Sequence, residues 1–432
     1  MVETPYKSRF TPRRKPLRRG RRLLAQLLLL LVELAAPNRG AMAEGLPSGL
    51  GVHVQVWQID AADLEHIRNF GFSFVRWGMS WEAIEKNPGE FDWAATDAFF
   101  EKVRHSGLSS VVILATGNHL YSRWLELPAD PGVRERKVAA PPESEAAIAA
   151  FSRFAAAAAK RYADESVTWE VWNEPDLPIF WPPKPKPDAY AQLAAMTCSA
   201  IKMAAPKAMV LAPATASLPV RAPALYGALA KTEAAGCLDG LSMHSYRISR
   251  GQRPDPESVE TENLASRALL ERLSDRWRDV PMLCTEWGYP TSAVGRATQR
   301  AYLARAYLAN VASGVRATVW YEWKDSRDEP ANPESHFGLQ TAQGIFKVEP
   351  DDGLVRRLTS MRFVRRLESV DPQVQVLLFE EEGANRIVAW LRSDDPTRNT
   401  VVTIAGKAVV LSNYPAIVVG DQIEAGGLRH AR

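Results

Sequence analysis

The chain has 432 residues, well above the ~100–200 of a typical domain, so one large folded unit with a small appendage is expected. Its 46% hydrophobic and 24% charged residues exclude a disordered chain, and three cysteines exclude a disulfide framework. The formal charge of +3 comes from basic residues crowded into the first 22 positions (RFTPRRKPLRRGRR), and the remainder is near neutral or acidic, so no nucleic-acid partner is expected.

That basic run leads straight into LLAQLLLLLVELAAP and then Ala41-Met42-Ala43. Basic region, short apolar region and small-residue cleavage site read as a signal peptide over residues 1–43, implying a secreted or periplasmic protein with no membrane span after cleavage. An uncleaved inner-membrane anchor is the alternative. Glu33 inside the apolar run fits either reading poorly.

From residue 44 onward, short β-branched or apolar runs alternate with amphipathic stretches, the rhythm of βα units around a parallel sheet. Strands are predicted over 51–57, 73–77, 110–115, 168–173, 209–213, 240–244, 281–285 and 317–323. Helices are predicted over 60–70, 94–106, 144–162, 188–204, 222–235, 260–277 and 298–313, with an eighth over 352–367. Eight such units predict a (β/α)8 TIM barrel over residues 44–370. Short strands at 373–379, 386–391, 400–404, 408–411 and 416–419 predict a small β domain over 371–425, before a tail at 426–432. Cys198, Cys237 and Cys284 read as three buried thiols, with a Cys198–Cys237 bridge as the alternative. No glycine-rich nucleotide-binding fingerprint is present, and no cluster of histidine, cysteine and acidic residues suggests a metal, so no cofactor is expected.

In such a barrel the chemistry sits where strands end at the C-terminal face. Strand four ends in Trp169-Glu-Val-Trp-Asn-Glu174-Pro and strand seven in Met282-Leu-Cys-Thr-Glu286-Trp-Gly. One carboxylate at a strand end is usually a solvated loop residue, but two on strands facing each other across a barrel suit glycosidic bond cleavage. That reaction wants a proton donor on the leaving oxygen and a nucleophile on the opposite face of the anomeric carbon.

Asn173-Glu174-Pro175 together with Thr285-Glu286-Trp287-Gly288 resembles clan A of the glycoside hydrolases over nearly the whole mature chain. Trp172-Asn-Glu-Pro-Asp176 followed by Phe180-Trp-Pro-Pro-Lys-Pro-Lys is most similar to family 39 and the PslG-like exopolysaccharide hydrolases. The resemblance implies a retaining double displacement with Glu174 as general acid/base and Glu286 as nucleophile, acting on a β-linked polysaccharide or oligosaccharide. It further implies that Arg76 orients the nucleophile, that Asn173 bonds the sugar 2-hydroxyl, and that His244 and Tyr246 stand near Glu286. Trp323 or Trp320 is expected to floor the sugar site. Trp181 is expected to bind substrate, and Asn118 and His119 either contact it or cap the third-strand loop. A polysaccharide-binding export accessory protein and a transglycosylase are the competing readings. Retention of Glu174, Glu286, Asn173 and Arg76 together argues against mere binding.

Overall fold

Eight runs of buried apolar residues form the closed parallel barrel that their spacing predicts: β1 (Gly49–His53), β2 (Phe74–Ser80), β3 (Ser109–Ala115), β4 (Val167–Val171), β5 (Met209–Thr215), β6 (Gly240–His244), β7 (Met282–Trp287) and β8 (Val315–Trp320). The structure, a computed structural model, describes residues 45–127, 136–247, 255–347, 353–404, 406–419 and 429–430. The expected signal segment therefore lies outside the described residues, as does all of the expected tail except residues 429–430.

The strands pair in order around the ring, β8 closing on β1. Each is followed by a main helix: α1 (Ala61–Phe70), α2 (Ala94–Ser106), α3 (Glu145–Arg161), α4 (Pro187–Ala204), α5 (Pro223–Ala230), α6 (Glu260–Leu273), α7 (Arg296–Ala312) and α8 (Leu354–Ser360). Their ends carry local signals. Asp60 and Asp63 form a reciprocal capping box at the start of α1, and Ser144 accepts from the Ala147 amide at the start of α3.

Alternation along each strand sorts its side chains. Outward residues such as Val75, Val112, Trp169 and Val210 join the large core shared with the helices. Phe74, Val111, Leu211, Leu283, Ala317 and Val319 fill the barrel interior with Leu46. Gly51 is required there, because a Cβ on it would lie 2.3 Å from the Phe74 ring. This apolar plug closes one end of the barrel and leaves the other for polar groups.

Two expectations need correction. The eighth helix covers only Leu354–Ser360, and the following residues form a strand, β9 (Arg362–Arg366). It joins β10 (Val374–Glu381), β11 (Ala384–Leu391) and β14 (Ala416–Val419) in a four-stranded sheet. β12 (Thr400–Ile404) and β13 (Lys407–Leu411) belong to a second sheet. One face of the first sheet, with Val376, Ile387 and Ala389, packs on Val402, Ile404 and Leu411; the other, with Leu377, Phe379, Val388 and Trp390, joins the barrel's core. The second correction concerns sulfur. Cys198 on α4 and Cys237 are bridged, and Cys284 alone remains a buried thiol. Among the described residues no helix is long and apolar enough to cross a membrane.

Candidate active site

Arg76 organises the open end of the barrel. It lies on β2 two residues beyond Phe74, so it points inward just above the apolar plug, and none of its side chain is exposed. Its guanidinium reaches β4, the segment just beyond it, and β7. Nε donates to Glu170 of β4 at 2.8 Å, Nη2 to Asn173 at 2.8 Å and Nη1 to Glu286 at 2.5 Å. Burial works against this charge, but the carboxylates of Glu170 and Glu286 outweigh it and hold the guanidinium protonated above its ordinary pKa.

Glu286 is placed by an irregularity. Leu283 faces inward and Cys284 outward, so plain alternation would turn Glu286 outward. Cys284 pairs with Thr318 but Trp287 with Trp320, and likewise Met243 pairs with Cys284 but His244 with Glu286. β7 therefore carries one extra residue, a bulge that re-aims its end. Glu286 then receives Arg76 on Oε2 and the Tyr246 hydroxyl on Oε1 at 2.8 Å. Burial first, and then the Glu286 charge, raise the Tyr246 pKa well above its usual value, so this phenol stays a donor.

Glu174 follows β4 in a left-handed backbone conformation, φ 45°. Its amide donates at 2.9 Å to the carbonyl of Ala214, itself the extra residue of a second irregularity, on β5. Two bulged strands thus hold the two glutamates. His244 Nδ1 lies 2.7 Å from Glu174 Oε1, and its Nε2 faces Arg76 Nη2 at 3.4 Å. Burial lowers the His244 pKa, and Arg76 lowers it further against the raising effect of Glu286. The ring is therefore neutral near pH 7. A guanidinium can only donate, which assigns Nε2 as acceptor and places the proton on Nδ1, facing Glu174. One oxygen of Glu174, one of Glu286 and a nitrogen of His244 all lie within 4.8 Å of one another. Such a trio also has the dimensions of a cation site, but the guanidinium on the same Glu286 carboxylate opposes a second positive charge there.

Glu174, Glu286, Arg76, Asn173, His244 and Tyr246 are thus gathered at one point. The expected tryptophans are not. Trp320 points outward, because Ala317 and Val319 are the inward residues of β8. Trp323 is wholly buried against Phe70, Phe72 and Phe346, and Trp181 against Trp172 and Tyr190. Tyr321 occupies the position expected of an indole, half-buried with Phe337 beside Tyr246. Asn118 is buried and caps its loop through the Glu85 carbonyl and the Leu120 amide. His119 stands at the rim, bonded to Glu82 and stacked on Trp124.

Sequence reasoning also missed Glu170 and His53. Alternation on β4, with Trp169 and Val171 outward, would have turned Glu170 inward. His53 ends β1 with Nδ1 3.4 Å from Arg76, and burial, then Arg76, then His244 keep its pKa well below the usual value. Beyond them, the buried Glu322 carboxyl accepts from Gln55 and from the Ser326 amide; burial pushes its pKa up to about 8.

Residues 43–326 match the cellulase family (glycosyl hydrolase family 5), which lies in the clan the two glutamate motifs suggested. Similar solved structures include a family 39 glycoside hydrolase from Bacteroides cellulosilyticus WH2, 20% identical over 90% of this chain and 82% of that one, with a TM-score of 0.64. A monomeric β-xylosidase from Caulobacter crescentus CB15 is 21% identical over 82% and 78%, TM-score 0.60. A family 30 endoxylanase from Clostridium papyrosolvens C71 is 14% identical over 86% and 93%, TM-score 0.58. At these identities the likeness is one of fold. The comparison with curated proteins gives no match.

Proposed function

Because the chain belongs to the cellulase family, glycosyl hydrolase family 5, we propose that it is a retaining glycosidase that cleaves β-glycosidic bonds of a polysaccharide or derived oligosaccharide. The observation that carries this is the approach of Glu174 to Glu286, within 4.8 Å. Carboxyl groups ~5 Å apart suit double displacement, whereas inversion needs ~6.5–9.5 Å to admit a water between them.

In the first step a Glu286 oxygen attacks the anomeric carbon while the glycosidic C–O bond breaks and the Glu174 proton passes to the leaving oxygen. His244 donates to Glu174 Oε1, so the transferable proton resides on the other oxygen of that carboxyl. Arg76 and Tyr246 each donate to a different oxygen of Glu286 and hold the carboxyl in place for attack. In the second step Glu174, now a carboxylate, takes a proton from water, whose oxygen displaces Glu286 from the sugar. Asn173 Oδ1 accepts from Arg76 Nη2, which orients the amide nitrogen toward the sugar 2-hydroxyl.

Export belongs to the same proposal. It rests on residues 1–43, and the Cys198–Cys237 bridge supports an oxidising compartment. The test is a screen of β-linked polysaccharides and aryl β-glycosides with the products followed by NMR. The expected first product is the β-anomer. An α-anomer appearing first overturns the double displacement, and turnover abolished by a chelator and restored by a divalent cation points instead to the cation reading of the trio.

A further inference from the structure

Arg76 meets two carboxylates, and the double displacement uses only one of them. The other, Glu170, lies on β4 before Glu174, with no exposed side-chain surface. Its Oε2 accepts from Arg76 Nε at 2.8 Å and lies 2.7 Å from Nη2, while its buried Oε1 has no hydrogen-bond partner. A carboxylate buried so deeply and met on one oxygen alone makes a poor fastening. Its hydrogen bonding is directed at Arg76.

The need for it appears when charge is followed through the proposed reaction. His53 and His244 each place a ring nitrogen 3.4 Å from the guanidinium, and burial lowers the pKa of both, so neither ring adds a charge near pH 7. Around Arg76 there remain one cation and two carboxylates, with Glu174 as the protonated acid. In the first step a lone pair of Glu286 becomes the bond to the anomeric carbon. The electrons of the glycosidic bond leave with its oxygen, which takes the Glu174 proton. Glu286 is then a neutral ester and Glu174 a carboxylate. With Glu286 as its sole counter-ion, Arg76 would at that point be a buried, unpaired cation below a sugar that passes through an oxocarbenium-like transition state. Glu170 takes no part in the bond changes, so its charge stays on Arg76 while negative charge passes from Glu286 to Glu174.

We infer that Glu170 is a positioning residue that acts through Arg76: it is the standing counter-ion that lets Glu286 lose its charge to the sugar and recover it. The inference rests on the retaining reading and deepens it, because the glycosyl-enzyme intermediate is the state that needs the second carboxylate. Inversion, in which neither acid is esterified, has no such need.

The test uses full-length protein and four probes, the dinitrophenyl 2-fluoro-β-glycosides of gluco, xylo, galacto and manno configuration. They time the two steps apart: trapping, read as the mass gained by the Glu286 peptide, and release of the trapped sugar. Glu170→Gln is expected to be trapped roughly 10²-fold more slowly than wild type. Its release is expected at the wild-type rate or faster, since an unpaired Arg76 raises the intermediate more than the transition states on either side. Glu170→Asp keeps the charge and is expected to recover most of the trapping rate. Trapping and release slowed alike in Glu170→Gln would mean that the residue only holds the site in shape, and unchanged trapping that Arg76 needs no second partner. Either result overturns the counter-ion role and leaves the retaining mechanism standing. If Glu170→Gln does not fold, Glu170→Asp decides: release slowed together with trapping overturns the proposal, and release kept at the wild-type rate supports it. A wild-type protein that none of the four probes traps overturns the double displacement itself, and the counter-ion role with it.

Discussion

Arg305 and Arg76 are both guanidiniums with no exposed side-chain surface, each held by a glutamate from another element, yet their surroundings differ in one respect. Arg305 on α7 grips Glu257 with two parallel bonds of 2.7 Å, gives its remaining nitrogen to the Ser393 carbonyl, and shares Glu257 with the Trp390 indole. Each partner is turned toward the others and away from water, and the cluster ties the barrel to its C-terminal sheet. Arg76 spreads its bonds over Glu170, Asn173 and Glu286, and the Glu170 carboxylate keeps one buried oxygen without a hydrogen-bond partner. Glu286 and Glu174 retain 13% and 9% side-chain exposure. A buried ion pair becomes a fastening when its geometry closes on itself. It becomes a working site when the fold leaves part of the charge facing a cavity, at a cost in stability.

This contrast can be broken at either cluster. The largest effect is expected from Glu286→Gln, which removes the attacking oxygen and should lower kcat by roughly 10⁴-fold or more with an unchanged circular dichroism spectrum. Turnover at the wild-type rate would dismiss Glu286 as nucleophile. Glu174→Ala should lose roughly 10²–10⁴-fold on substrates with poor leaving groups and much less on activated aryl glycosides, with azide yielding a β-glycosyl azide. Equal losses on all leaving groups would remove the acid role.

The two arginines should then fail in opposite ways. Arg305→Ala leaves Glu257 buried and unpaired, and a loss of about 3–5 kcal/mol is expected in denaturant unfolding, with kcat/KM of the folded fraction retained. Arg76→Lys forfeits the planar fork, and a fall of about 10²–10³-fold in kcat/KM is expected with a much smaller change in unfolding. If both lose stability alike, the contrast is wrong.

The smallest effect belongs to Glu322. Its pKa is raised in the fold to about 8, so the unfolded chain gives up this proton at lower pH than the folded one. The neutral carboxyl thus contributes stability that is complete below its unfolded pKa of ~4.3 and is lost as pH rises through about 8. Glu322→Gln should flatten this part of the Tm profile, and an unchanged slope would show that the carboxyl is already ionised in the fold.

Sequence periodicity located all eight barrel strands, because strands packed against helices must be apolar wherever they are buried. The motifs around Glu174 and Glu286 were legible for a related reason, since each acid interrupts an apolar run at its end. The tryptophans were misjudged because indole is equally at home in a core and under a sugar. Only the packing of Trp323 on Phe70 and Phe72, or of Trp181 on Tyr190, separates the two. The short eighth helix was overextended because the basic, amphipathic run after Ser360 suits a helix as well as the edge strand that the neighbouring sheet recruits.

By itself, then, the sequence determined the barrel, the strands bearing the two acids and the chemistry those acids suit, all of which follow from local pattern and residue type. The tertiary structure decided where the acids point. Alternation alone would have turned Glu286 into the layer of helices; the extra residue on β7 brought it round to Arg76, and the carbonyl of Ala214 on β5 fixed the backbone of Glu174. Bulges depend on pairing with neighbouring strands, and pairing is a property of the closed ring rather than of any one segment.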